Sequence, residues 1–362
     1  MNPRRYFPLG KAYGEAFCNR SNEVQMIMDN AKNGKHTFLV APRRYGKSSL
    51  CERAIEKLHL PAVSIDLHVA TSEKAIERII LKGITELIGK TVNSIEKSIH
   101  AFKHLFKHLQ PKLSIEAIGF KFELETTEHA STPEVLREAF ILLEHLLKSK
   151  RQQAIFLIDE FQRVIEIAPD MGIEGGIRSA AQETEYLSFI FSGSSRHLIE
   201  SIFQNEGRPL YKLCKKLRLD RIDAAHYKTH LNNAAYDMWQ MNLPDPVFDM
   251  IMNVTERHPY YVNYICDALW SKQKKLPDIA DVFDVWQNII DEERSDILTE
   301  FYTLTENQKK LLIYLVSGHS IGLYTMEASK LIGMPTTSIP KTLTVLINRY
   351  IIEEYDNKQY RV

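Results

Sequence analysis

Short apolar runs alternate with stretches of helical spacing over the first two thirds of the chain, and that alternation most restricts the fold. "HTFLVA" (36–41), "AVSIDL" (62–67), "AIFLID" (154–159), "LSFIFSG" (187–193) and "KKLRLDRI" (215–222) read as strands, with patterns such as "KSSLCERAIEKL" between them reading as helices. Strands this short and apolar are buried on both faces, which predicts an α/β core: a parallel sheet with helices on both faces. An insertion near 72–135 interrupts the alternation. It reads as a long helical stretch over 72–109 followed by a strand, "IGFKFEL" (118–124), with one buried face. His100, His104 and His108 share a helical face there, but Phe102, Leu105, Phe106 and Leu109 make it an ordinary amphipathic helix. No Cys or carboxylate completes a ligand set, so no metal is expected at these histidines.

A chain of 362 residues suggests two or three domains of about 100 to 200 residues each. The core is expected over 1–223, a helical lid over 224–301, where strands stop, and a third unit over 302–362. That last unit has three helical segments, "TENQKKLLIYLVSG", "TMEASKLIGM" and "TTSIPKTLTVLINRYI", then "IEEYDNKQYRV", which reads as a hairpin turning at Asp356-Asn357. Three helices and a hairpin form the winged helix-turn-helix pattern. The charge is balanced, 46 basic against 46 acidic residues, so no whole-chain field draws the protein to nucleic acid or an anionic membrane. Cys18, Cys51, Cys214 and Cys266 show no paired spacing, and no long apolar run occurs; both point to a cytoplasmic protein with reduced thiols and no membrane partner.

"FLVAPRRYGKSSL" (38–50) carries a phosphate-binding loop, G-x-x-x-x-G-K-[ST], with Ala41 at the first glycine. In such a loop backbone N–H groups and a helix N-terminus surround phosphate oxygens. Pro42, Arg43, Arg44, Tyr45, Gly46, Lys47, Ser48 and Ser49 form the expected cradle. Gly46 lets the backbone approach the ligand, Lys47 neutralises the β/γ-phosphates, and the Ser48 hydroxyl binds Mg²⁺. The first position ends the strand and turns the chain, which a small alanine can do.

The second half of the constellation is "AIFLIDEFQ", an apolar strand running into Asp159-Glu160 where ligands sit in parallel sheets. Asp159 is expected to hold Mg²⁺ through water and Glu160 to orient the attacking water. Ser192 and Ser194 in "FSGSSR" either contact the γ-phosphate or that water, or close a strand-end turn. Arg208 in "NEGRPLY" either completes charge neutralisation, in its own or a neighbouring subunit, or is a solvated surface arginine.

"AFCNRSNEV", "APRRYGKSSL", "AIFLIDEFQ", "FIFSGSS" and "RHPYYVNYI" together resemble the archaeal-type ATPase family, a STAND-class branch of the AAA+-like P-loop ATPases that also occurs in bacteria. The resemblance spans nearly the whole chain, including a C-terminal winged helix similar to that of origin-recognition ATPases. It implies that the backbone around Phe17, Asn19 and Arg20 lies near adenine, and that His258 and Pro259 belong to a lid motif written G-x-P, with Arg257 in place of the glycine.

The expected function is therefore an ATP-dependent switch with ATP, ADP and Mg²⁺ as ligands. Its winged helix would bind double-stranded DNA through Thr336, Thr337, Ser338 and Lys341 on the recognition helix and Lys358 and Arg361 on the wing. Alternatively it binds a protein partner or a second copy. The segment 302–362 is only weakly basic: Lys309, Lys310, Lys330, Lys341, Arg349, Lys358 and Arg361 stand against Glu306, Glu327, Glu353, Glu354 and Asp356. The acidic residues beside the wing favour the second reading. No helicase motif set supports translocation on nucleic acid.

Overall fold

The computed structural model describes residues 5–91, 109–116, 119–126, 131–272, 275–355 and 359–362. The chain divides into two compact units, 1–242 with 255–267, and 243–254 with 268–362.

The first unit is built on a five-stranded sheet. Its strands are β1 (Thr37–Val40), β2 (Ala62–Asp66), β5 (Ala154–Asp159), β6 (Leu187–Gly193) and β7 (Lys215–Arg218). All pairings are parallel, in the order β2-β5-β6-β1-β7. The expected strands are thus all present. In the centre, β1 and β6 are buried along their whole length, whereas edge strand β2 buries only alternate residues. That difference explains why the central strands read as continuous apolar runs.

Alternation within each strand sends side chains to opposite faces. Phe38, Phe156, Ile158, Phe189 and Phe191 enter one core with α3 (Glu73–Thr91), α4 (Thr132–Lys150), α6 (Gly172–Glu183) and α7 (Arg196–Gln204). Leu39, Ile155, Leu157 and Ile190 enter the other with α1 (Ser21–Lys32) and α2 (Lys47–Leu58). The start of β6 is fixed by a buried carboxylate. Glu144 on α4 accepts hydrogen bonds from the backbone N–H groups of Glu185 (2.8 Å), Tyr186 (3.0 Å) and Leu187 (3.1 Å).

The insertion departs from the sequence reading. Leu109 does not end a helix; it opens a strand, β3 (Leu109–Glu116), paired antiparallel with β4 (Gly119–Thr126) in a separate two-stranded sheet. Pro111 cannot donate within a helix interior, and pairing with β4 supplies the backbone partners that a helix would have provided. The strand expected at 118–124 is β4, shifted by one or two residues. His100, His104 and His108 lie outside the described residues, as do Phe102, Leu105 and Phe106.

Helix α8 (Ala224–Trp239) and most of α10 (Pro259–Lys272) belong to the first unit, while α9 (Asp245–Val254) and α11 (Ile279–Tyr302) belong to the second. The second unit continues with α12 (Glu306–Val316), α13 (Met326–Ile332) and α14 (Ile339–Asn348), then the antiparallel pair β8 (Glu353–Tyr355) and β9 (Gln359–Arg361). Thr305 caps α12 reciprocally with Gln308, and Thr325 caps α13. Leu311, Leu315, Ile332, Ile339, Leu343, Leu346 and Tyr360 form one core. The expected hairpin turn at Asp356-Asn357, and Lys358, lie outside the described residues. Among the described residues no helix is long and apolar enough to cross a membrane.

Candidate functional site

Strand register brings the site together. Val40 pairs with Gly193 and Asp66 with Asp159, so β1, β2, β5 and β6 end level with one another at the C-terminal edge of the sheet. Because β6 lies between β1 and β5, its terminal serines fall between the phosphate loop and the acidic pair.

The loop leaves β1 through Ala41, which is buried in the sheet core. It enters α2 through Gly46, whose φ of 82° is left-handed and unfavourable for a residue with a side chain. Nothing lies within 4 Å of where a Cβ on Gly46 would stand, so the glycine is needed for conformation and leaves open space above the loop. Lys47 folds back beneath that space, its buried Nζ donating to the carbonyls of Ala41 and Pro42, both at 3.2 Å. Burial holds its pKa below the usual lysine value, opposed by the nearby charges of Asp159 and Glu160.

Asp159 is the hub. Its Oδ2 accepts from the Ser48 hydroxyl (3.1 Å), and its Oδ1 accepts from the Ser192 hydroxyl and from the Glu160 backbone N–H (3.0 Å). Glu160 follows with a φ of 54°. Its Oε2 accepts from the Ser194 hydroxyl at 2.8 Å and from the Gln162 side-chain amide. Ser194 thus touches the acidic pair from a place on the cavity wall, while Ser192 holds Asp159 from beneath.

Above these groups opens a cavity of about 540 Å³. Arg43, Arg44, Tyr45, Gly46, Lys47, Ser48, Ser49, Asp159, Glu160 and Ser194 line it, together with Phe17, Cys18, Arg20, Ile222, Tyr227 and Pro259. Arg20 is buried, donating to Glu23 (3.1 Å) and to the Tyr45 carbonyl (3.4 Å). Asn19 does not line the cavity; its side-chain oxygen accepts from Ser21. Arg257 has a φ of 61°, so it adopts the backbone conformation that glycine favours, and the turn into α10 forms without one. Beyond it His258 packs edge-on against Tyr45, and Tyr260 lies under the Arg44 guanidinium at 4.0 Å.

Arg208 is a correction to its readings as a solvated arginine and as part of its own subunit's site. Its side chain is 12% exposed and forks onto the fully buried Glu174 of α6, so it is neither solvated nor part of the cavity wall. Arg178 donates to the carbonyl of Pro209 in the same turn, and together these contacts bind that turn to α6. The segment 8–12 was not foreseen and lines the cavity. It is anchored by Asn263 donating to the Pro8 carbonyl (3.0 Å) and by the Ala12 N–H donating to Ser49 Oγ (2.9 Å). Gln162 was also missed, although it stands two residues beyond Glu160 in the sequence.

The chain is similar in structure to the Walker-type ATPase of Pyrococcus abyssi: 16% identity, 97% of this chain and 95% of that one covered, TM-score 0.67. It is also similar to the Aeropyrum pernix ORC2 protein, solved as ADPNP-ADP complexes, at 10% identity, 99% and 93% coverage and TM-score 0.56. The Aeropyrum pernix ORC1 protein, solved in complex with DNA, gives 11% identity, 99% and 91% coverage and TM-score 0.50. The shared feature is the fold: a parallel sheet covered by helices, as in that Walker-type ATPase. No protein-family model and no curated protein sequence matches the chain.

The residues present fit a nucleoside triphosphate with Mg²⁺. Among the described residues the buried ammonium bonds only to carbonyls and has no counter-charge in contact, and the open space over Gly46 admits one. Ser48 and Asp159 offer hard oxygen donors within hydrogen-bond distance of each other, as Mg²⁺ requires.

Proposed function

We propose that this chain binds ATP and Mg²⁺ in the cavity above Gly46 and hydrolyses the ATP slowly, as a molecular switch of the STAND class. The observation that carries the reading is the hydrogen-bonded series Ser48–Asp159–Ser192 beside the buried Lys47. Lys47 binds the β/γ-phosphates, and backbone N–H groups at the start of α2 surround their oxygens. Ser48 and Asp159 would hold Mg²⁺, which when bound neutralises phosphate charge. Glu160 accepts a proton from the attacking water. Phe17, Arg20 and Pro259 contact the nucleoside end. Arg208 serves by holding its turn on α6, not by contacting phosphate.

Glu160→Gln tests the assignment: Mg·ATP affinity stays within a few-fold and turnover falls by about 10² or more, the scale of a positioned general base. Normal turnover in that variant refutes it.

The output is assigned to α12–α14 and the β8–β9 hairpin, read as a winged helix-turn-helix. For double-stranded DNA, support comes from Lys341, exposed near the start of α14, with Thr336, Thr337 and Ser338 just before it. A second reading, a protein partner or self-association, is favoured by ion pairs that occupy three of the unit's other cations. Arg361 is paired with Glu353, Arg349 with Glu300 and Lys309 with Glu306. Ile313, Val316, Met326 and Leu331 are exposed on the same unit.

A further inference from the structure

Around Glu160 the hydrogen bonds are one-sided. Both donors that reach its carboxylate, Gln162 Nε2 and the Ser194 hydroxyl, end on Oε2, whereas Oε1 accepts nothing from any described residue. Both donors are buried, at 4% and 5% exposure, and they stand 3.4 Å apart, so they brace one another. Gln162 is itself fixed: its backbone carbonyl accepts from Ile165 (3.1 Å) and Glu166 (3.4 Å) as α5 (Arg163–Ile167) begins. Its amide lies against Gly193, where a Cβ would collide with the side-chain oxygen. That oxygen is buried without a partner among the described residues. A chain selected only for stability would not leave a buried carbonyl unpaired in order to aim an amide N–H at one carboxylate oxygen.

We propose that Gln162 is the positioning residue of the hydrolytic step, a reading that rests on the ATPase function proposed above. With Ser194 it pins Oε2, which fixes the rotamer of Glu160 and leaves Oε1 as the proton acceptor. In the step, an O–H bond of water breaks and its proton goes to Oε1 as the water oxygen bonds to the γ-phosphorus. The bond from that phosphorus to the β–γ bridging oxygen breaks, and the bridging oxygen departs on ADP. Gly193 is glycine because the amide of Gln162 needs the volume a side chain would fill.

The experiment is a double-mutant cycle on the full chain, read by single-turnover ATP hydrolysis with ATP affinity measured in parallel. Gln162→Met keeps the length of the side chain and removes the donor. In the wild-type background it lowers the rate about 10- to 100-fold, with ATP affinity within about twofold. In a Glu160→Gln background it causes no further loss, because its effect passes through Glu160. Gly193→Ala, which displaces the amide without altering any polar group, reproduces that pattern and serves by the same criteria should Gln162→Met fold poorly. An unchanged rate in the single variants, or an equal loss in both backgrounds, overturns the proposal. Wild-type turnover in Glu160→Gln alone would instead overturn the function beneath it.

Discussion

Replacing Lys47 by Met tests the phosphate site with little cost to the fold. Lys47 is 8% exposed, and its ammonium makes two hydrogen bonds, to the carbonyls of Ala41 and Pro42. Hydrogen bonds to a charged group contribute roughly 1.5–3 kcal/mol each, while the burial of an ammonium costs several kcal/mol, so removing both leaves stability nearly unchanged. The ligand has no such compensation. A unit charge about 4 Å from a phosphate charge contributes roughly 4 kcal/mol at an effective dielectric near 20. Water entering the vacated space recovers part of that, which leaves a loss of about 3 kcal/mol, or roughly 100-fold in Kd. Calorimetric titration of ATP into Lys47→Met and wild type, alongside thermal unfolding of both, measures the two quantities separately. Ala41→Gly is the control and binds ATP as wild type does, because glycine keeps the backbone carbonyl that Lys47 uses. A folded Lys47→Met with wild-type affinity would refute the placement of phosphate over Gly46.

Burial lowers the pKa of Lys47 in the free protein and a bound phosphate raises it, so binding takes up a proton as pH climbs toward the ordinary lysine range near about 10.4. ATP affinity therefore weakens with rising alkalinity, and calorimetry in buffers of different ionisation enthalpy detects the proton; in Lys47→Arg the dependence disappears. Glu144→Ala orphans three backbone N–H groups at the start of β6 and costs about 3 kcal/mol in urea unfolding. A loss below about 1 kcal/mol would mean that water takes the place of the carboxylate. Lys341→Ala flattens the slope of log K for duplex DNA against log salt by about one unit, whereas Arg361→Ala, whose cation is already paired with Glu353, leaves it unchanged. Failure to bind duplex DNA at low salt in the apo, ADP and ATP states would leave the protein-partner reading.

What could be read in advance was whatever the chain specifies locally. Phe156, Leu157 and Ile158 lie in a strand buried on both faces, so their run of apolar residues is itself the signal, and the acidic pair follows at its end. Gly46, Lys47 and Ser48 act as neighbours in one loop, and their spacing survives in the sequence. β3 was not legible for the opposite reason: a strand outside the main sheet is specified by its partner β4. Arg208 shows the same limit in a side chain. A cation in a turn looks the same whether solvent, phosphate or a carboxylate awaits it, and its partner Glu174 is 34 residues away. Gln162 lies closest to the boundary between the two cases. Its distance from Glu160 is fixed by the backbone, but its orientation depends on Gly193, brought to it from β6 by the pairing of β6 with β5. The sequence therefore identifies the carboxylate, and only strand order identifies what orients it. For the same reason a substitution at Gly193, which has no side chain to react, is expected to act on the chemistry of Glu160.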